Sequence, residues 1–229
     1  MMKKVQTRLF FLVFWVLISS GDVIAQDDLR RSERRAIAEQ SIKQLKEGTL
    51  VLRLKSKRNK IREMKKVIAA PDIKPALRKR LEKRLENTIK ERDRYNQSLI
   101  DAFDEYYSFS NIYYIYDSSS VELKNGERSG IFLDKNREVD PTIEIPEGDV
   151  FVLRTGNTDY SSTTGIEALV VMNKELKDLQ RPFPYYVRVH SIGRLFTRIF
   201  NPRKLVLKDS KAIVQKLDAN LNRYLDKVR

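Results

Sequence analysis

The single histidine of the chain, His190, is the side chain best suited to acid–base chemistry, because its charge changes near neutral pH without a perturbing neighbour. With a serine of residues 118–120 or 161–162 and the carboxylate of Asp117 or Asp159, it would supply the groups of a hydrolase. No G-x-S-x-G motif accompanies these residues, and turn formation alone accounts for an aspartate followed by serines. We therefore assign no catalytic residue and keep a hydrolase that uses His190 and Asp117 as one alternative.

The stretch "RPFPYYVRVH", residues 181–190, combines basic and aromatic side chains that suit an anionic or planar ligand. Two-residue alternation predicts a strand in which Val187 faces inward while Tyr186 and Arg188 face outward. The two prolines of the stretch cannot donate backbone hydrogen bonds, which favours an edge strand. Tyr186 and Arg188 are accordingly candidate binding residues on a strand at the edge of a sheet.

The basic residues of the chain are unevenly distributed. Residues 26–95 hold 23 basic and 11 acidic side chains, whereas residues 96–229 hold 19 of each. The densest cluster consists of Arg78, Lys79, Arg80, Lys83 and Arg84. Each cation close to an anionic membrane surface contributes about 1 kcal/mol of binding free energy. We therefore predict that this cluster binds an anionic component of the cell envelope or an acidic protein partner.

A solvated helix surface would explain the same charges without any ligand. Ion pairs between residues four apart, such as Arg78 with Glu82 and Glu86 with Lys90, would then neutralise part of the excess. Nucleic acid is not an expected partner, because the basic segment lacks the interleaved aromatic side chains on which bases stack.

Several classes of chemistry are excluded by composition. The chain has no cysteine, which rules out disulfides, thiol catalysis and cysteine-ligated metal centres. One histidine cannot form a histidine-rich metal site, and no P-loop, EF-hand or dinucleotide-binding motif is present. We therefore predict neither a metal nor a cofactor, in a chain whose 41% hydrophobic content is typical of a globular protein.

The N-terminal residues have the pattern of a secretory signal peptide. Residues 1–8 carry three basic side chains, and residues 9–20 are mostly apolar. Val23 and Ala25 occupy the small-residue positions of a cleavage site, so the predicted mature chain begins at Gln26. We expect a periplasmic or extracellular protein that is not a lipoprotein, because no cysteine is available for lipid attachment. No later segment is apolar enough to span a membrane.

The elements that must position these residues follow from hydrophobic periodicity. The pattern predicts a helix over residues 27–47 and a short buried strand over 49–54. Residues 56–70 and 72–107 then form an unequal helical hairpin, and a strand follows at 111–117. Because a helical crossover separates the first two strands, we expect them to be parallel.

The rest of the chain predicts short strands, largely antiparallel, including one at residues 131–134, and a C-terminal helix capped by Asp209 or Ser210. The predicted fold class is α/β (mixed α+β): a mixed sheet of five to six strands with a long basic helical hairpin inserted after the first strand and a C-terminal helix.

The predicted organisation is a signal peptide at 1–25, a basic helix at 26–48, and one α/β domain at 49–229 from which a helical arm, 56–107, protrudes. The leading functional hypothesis is an exported, non-enzymatic protein whose arm binds an anionic surface or an acidic partner. A basic exported protein with helices projecting from a β-containing body is similar in build to periplasmic holdase chaperones. That resemblance implies a chaperone as a further alternative.

Overall fold

A five-stranded mixed sheet organises the computed structural model, which describes residues 30–158, 166–189 and 202–229, the stretch 202–209 by its backbone alone. The strands are β1 (Thr49–Leu54), β2 (Asn111–Tyr116), β3 (Val150–Asn157), β4 (Glu167–Met172) and β5 (Tyr186–Arg188). Their order across the sheet is β2-β1-β3-β4-β5. β1 runs parallel to both β2 and β3, whereas β3, β4 and β5 form an antiparallel meander. The predicted mixed sheet is confirmed, with five strands.

Helices lie before, between and after these strands. They are α1 (30–47), α2 (Arg58–Ile68), α3 (Pro75–Tyr106), α4 (Ser120–Lys124) and α5 (Pro202–Val228). The predicted hairpin is therefore present as α2 and α3 between β1 and β2, and the 32 residues of α3 extend for about 48 Å. Within the described ranges, none of the helices combines the length and the apolar character that a bilayer crossing demands.

The C-terminal helix is present but begins earlier than predicted. Pro202 is its first residue, so the predicted capping positions Asp209 and Ser210 lie inside it. Proline suits the first turn of a helix because the N–H groups of that turn make no intrahelical hydrogen bond, so the missing N–H of proline costs nothing there. Ser210 is buried and its hydroxyl lies 3.0 Å from that of Ser98 on α3, so the residue connects two helices instead of capping one.

The larger core lies between one face of the sheet and the helices α1, α3 and α5. Leu50, Leu52 and Leu54 of β1 point into it, as two-residue alternation requires. The helices bury apolar side chains at three- and four-residue spacing against them, among them Ile42 of α1 and Phe103 of α3. Only the C-terminal half of α3 takes part, which leaves its N-terminal half outside this core.

The opposite face of the sheet is covered by the connection between β2 and β3. Val51 and Ile115 point into this smaller core, where Phe132 and Ile145 of the connection pack over them. The predicted strand at 131–134 forms only isolated bridges, such as Phe132 with Ile115. Because both faces of β1 are covered, the strand is buried at almost every position, as is typical of a central parallel strand.

Candidate anion-binding surfaces

From here on the name arm is kept for the part of the predicted arm that consists of α2 and residues 75–87 of α3. These two segments carry ten cationic and three acidic side chains. α2 packs along α3, and Met64 is the residue of α2 that becomes buried. All of residues 74–80 are exposed, so the N-terminal turn of α3 meets solvent on every side. The hairpin is thus held by a narrow apolar seam and presents its charges to solvent.

The turn of the arm is closed by one of the predicted binding residues. The Nη2 atom of Arg78 donates a hydrogen bond to the carbonyl oxygen of Ala70 at 3.2 Å, and Arg78 does not pair with Glu82. The other predicted ion pair is present, with Lys90 Nζ 2.5 Å from Glu86 Oε1. The hydrogen bond from Lys90 lowers the pKa of Glu86.

The cluster Arg78, Lys79, Arg80, Lys83 and Arg84 is called the arm patch. Within the described residues, none of these five side chains has a carboxylate oxygen within 4 Å. At about 100° per residue, Lys79, Arg80, Lys83 and Arg84 fall within an arc of roughly 140°. The structure therefore places four unpaired cations on one side of a projecting helix.

A second basic surface lies at the carboxyl ends of the parallel strands β1 and β2. Here the chain leaves β1 and enters α2, and the two strand ends border a cavity of about 590 Å³. Five cations line the cavity: Arg53, Lys57, Arg58, Lys60 and Arg62. This set is called the basic pocket. Most of these cations are close together in the sequence, but no sequence pattern predicts the cavity, which depends on the parallel pairing of β1 with β2.

Asp117 lies in the basic pocket and is bound to the chain opposite. Its Oδ1 atom accepts a hydrogen bond from the backbone N–H of Ser56 at 3.0 Å and another from the Ser56 hydroxyl. The carboxylate thereby ties the exit of β2 to the exit of β1, a contact between distant parts of the chain and not the local turn that the sequence suggested. His190, its proposed catalytic partner, lies outside the described residues.

The backbone beside the basic pocket is held by α3. Asn96 is fully buried; its Nδ2 donates to the carbonyl oxygen of Lys55 at 2.9 Å, and its Oδ1 accepts from the N–H of Lys55 at 3.2 Å. One turn earlier, Nη1 of Arg92 donates to the carbonyl oxygen of Ser56 at 3.3 Å. These three hydrogen bonds fix the backbone that connects β1 to α2.

Arg53 differs from the other cations because it emerges from the sheet itself. It lies on the face that carries Val51, and Ile115 is its neighbour on β2. Its Nε atom is buried without a hydrogen-bond partner, the one such side-chain nitrogen or oxygen among the described residues. Buried donors are ordinarily paired, so this unsatisfied atom distinguishes the basic pocket from the other parts of the chain that the structure describes.

Tyr186 lies on β5, which is an edge strand of the described sheet, as the prolines predicted. Val187 is buried, and Tyr186 borders a cavity of about 660 Å³ that is also lined by Arg181 and by arginines of α1. Arg188 is exposed and does not line this cavity. One of those α1 arginines, Arg35, is paired with a glutamate of its own helix at 2.8 Å, so part of the local charge is neutralised.

Comparison of the chain with protein families, curated proteins and solved structures found no match. In the part of the chain that the structure describes, no group of three histidine or carboxylate side chains is arranged to hold a metal ion. The features that indicate a function are therefore the charge and geometry of the arm patch and of the basic pocket.

Proposed function

We propose that this protein is an exported, non-enzymatic binding protein whose arm patch docks on an anionic lipid surface of the cell envelope. The observation that carries the proposal is the exposure of five cations without carboxylate partners on one segment of α3. A helix surface that served only solubility would neutralise part of its charge through ion pairs four residues apart. On α3, such pairing is present between Glu86 and Lys90, both of which lie beyond the arm patch.

The expected strength of this contact follows from the number of cations that reach the surface together. Each contributes about 1 kcal/mol near an anionic membrane. Four cations on one side of the helix would contribute about 4 kcal/mol, which corresponds to roughly a thousandfold increase in partitioning. The narrow apolar seam adds little, because it faces α2 and not the membrane.

The test is a variant in which glutamine replaces Lys79, Arg80, Lys83 and Arg84. Vesicles that contain phosphatidylglycerol should bind the parent chain, starting at Gln26, and should lose most of the variant. The circular dichroism spectrum should not change, because these side chains are exposed and make no ion pair within the described residues.

A matched control removes the same charge elsewhere, with glutamine at the exposed positions Lys177, Lys216, Arg223 and Arg229. The control should retain most of the parent's binding to the vesicles. Equal losses in the two variants would mean that net charge alone drives binding, and the arm patch would then have no special role.

Export is part of the proposal and has its own test. Expression of the full chain in a Gram-negative host should place the protein outside the cytoplasm, with a mass that corresponds to a chain beginning at Gln26. Retention in the cytoplasm at full mass would remove the envelope from the proposal.

A further inference from the structure

The basic pocket is strongly unbalanced in charge. Within the described residues, Arg53, Lys57, Arg58 and Lys60 have no carboxylate oxygen within 4 Å. The fifth cation of the pocket is partly neutralised by the neighbouring glutamate of α2, at 3.4 Å. The one carboxylate in the cavity lining, Asp117, already accepts two hydrogen bonds from Ser56.

The start of α2 adds polarised backbone groups to the same cavity. The first N–H groups of a helix have no intrahelical acceptor, and they carry the positive end of the helix dipole. The N–H of Arg58 donates to the Ser56 hydroxyl at 3.2 Å, and the N-cap residue Lys57 makes no side-chain capping hydrogen bond. Lys57, which precedes the helix, has a left-handed backbone conformation with φ of 49°, and its side chain also borders the cavity.

The unsatisfied Nε of Arg53 is the second and independent observation. Arg53 lines the cavity, and the part of the chain that the structure describes provides no acceptor for its buried Nε. Leaving a buried donor unpaired costs about 1–3 kcal/mol. An anion in the cavity would provide the acceptor that this donor lacks.

From these observations we propose that the basic pocket binds a small phosphorylated ligand, a phosphomonoester or a pyrophosphate group. Such a group offers several acceptor oxygens and about two negative charges, which suit a guanidinium, two ammonium groups and helix N–H groups together. A cavity of about 590 Å³ is large enough to hold a ligand of this size.

This inference does not depend on the docking of the arm patch on a surface. Arg92 donates a hydrogen bond to the carbonyl oxygen of Ser56, a residue of the cavity lining. It lies 8 residues along α3 from Arg84 and 14 residues from Arg78. At 1.5 Å per residue, the arm patch is therefore about 12–21 Å from that edge of the basic pocket, beyond a Debye length of about 8 Å. Either site can bind or fail to bind without the other.

The test is calorimetric titration, in which pyrophosphate or inorganic phosphate is added to the protein produced from the full chain. Salt at about 150 mM screens nonspecific attraction between these anions and the positive protein surface. Pyrophosphate should bind at one site. Arg53→Met should weaken it at least tenfold, because it removes the buried donor. Lys60→Gln, an exposed change that leaves the core intact, should weaken it severalfold.

The variant with glutamine at four arm-patch positions serves as the control and should bind pyrophosphate within about twofold of the parent protein. Absence of pyrophosphate binding by the parent would overturn the inference. Equal weakening by the arm-patch variant and by Lys60→Gln would also overturn it, since binding would then reflect diffuse positive charge.

Vesicles distinguish the two sources of such a ligand. If the phosphorylated group is a lipid headgroup, Arg53→Met should reduce binding to vesicles that contain phosphatidic acid, a phosphomonoester, more than binding to vesicles of phosphatidylglycerol, a diester. If the ligand is a free metabolite, Arg53→Met should weaken the binding of pyrophosphate and should not change the binding of the protein to either type of vesicle.

Discussion

Replacement of Asn96 by leucine tests the connection between α3 and the basic pocket. Asn96 is fully buried, and its amide makes two hydrogen bonds to the backbone of Lys55, where β1 ends. Leucine has the same branched arrangement of side-chain heavy atoms but is larger and has neither a donor nor an acceptor, so the substitution removes both bonds and leaves no cavity. We expect the variant to fold with a clearly lower free energy of unfolding.

The magnitude follows from the two hydrogen bonds. At 2.9 Å and 3.2 Å, both have ordinary lengths, and water does not reach the side chain. Loss of one partner of a buried hydrogen bond costs about 1–3 kcal/mol, so two bonds give about 2–6 kcal/mol. Leucine recovers part of this through the transfer of an apolar side chain to the interior, which places the expected loss at about 2–3 kcal/mol.

Urea unfolding followed by circular dichroism measures this loss. Asn87→Leu is the matched control, because Asn87 lies on the same helix and is exposed, and it should change the free energy of unfolding by less than about 0.5 kcal/mol. A loss below about 1 kcal/mol for Asn96→Leu would refute the claim that this side chain holds the β1–α2 connection.

Asn96→Asp refines the test. The aspartate keeps an acceptor for the N–H of Lys55 but places a carboxylate oxygen against the Lys55 carbonyl, where the amide had donated. Protonation of the carboxyl restores a donor at that position. The stability deficit of this variant relative to the parent should therefore shrink as the pH falls from about 7 to about 4, near the ordinary aspartate pKa.

Two further predictions concern the body of the protein. Gly48→Ala should lower the free energy of unfolding by at least about 2 kcal/mol. The added Cβ would lie 2.7 Å from the carbonyl oxygen of Gln44 and closer still to the carbonyl oxygen of Asp149. Unfolding indistinguishable from the parent protein would contradict this packing. Burial raises the pKa of both Tyr107 and Tyr114, so the unfolded chain releases these protons first and stability should fall as the pH rises above about 10. The slope should be about 1.4 kcal/mol per pH unit for each residue, and urea titrations between pH 9 and 11 should find a shallower decline in Tyr114→Phe; an unchanged decline would argue against that burial.

The arm and the strands beside it were predictable because their signals are local. The spacing of four between Leu77, Leu81 and Leu85 in a charged segment specifies a helix with one narrow apolar seam, and that segment is helical. The run "TLVLRL" predicted β1, and the helical crossover predicted its parallel pairing with β2. In each case a few consecutive residues contain the whole pattern.

The basic pocket was not predictable in the same way. Arg53 and Asp117 are 64 residues apart in the chain, and only the register that places Leu54 opposite Tyr116 brings the two strand exits together. Periodicity does not reveal such a register. The early start of α5 at Pro202 was missed for a different reason, since proline is compatible both with the end of one segment and with the first turn of the next.

The most direct test of arm-patch docking is co-sedimentation of the chain from Gln26 with phosphatidylglycerol vesicles and with neutral phosphatidylcholine vesicles, at about 50 mM and about 300 mM salt. The higher salt concentration shortens the screening length about 2.5-fold. If the arm patch docks on an anionic surface, the protein should bind the anionic vesicles alone, and most of that binding should be lost at the higher salt concentration. Equal binding to neutral vesicles, or no binding to anionic vesicles at the lower salt concentration, would contradict the claim that the arm patch docks on an anionic surface.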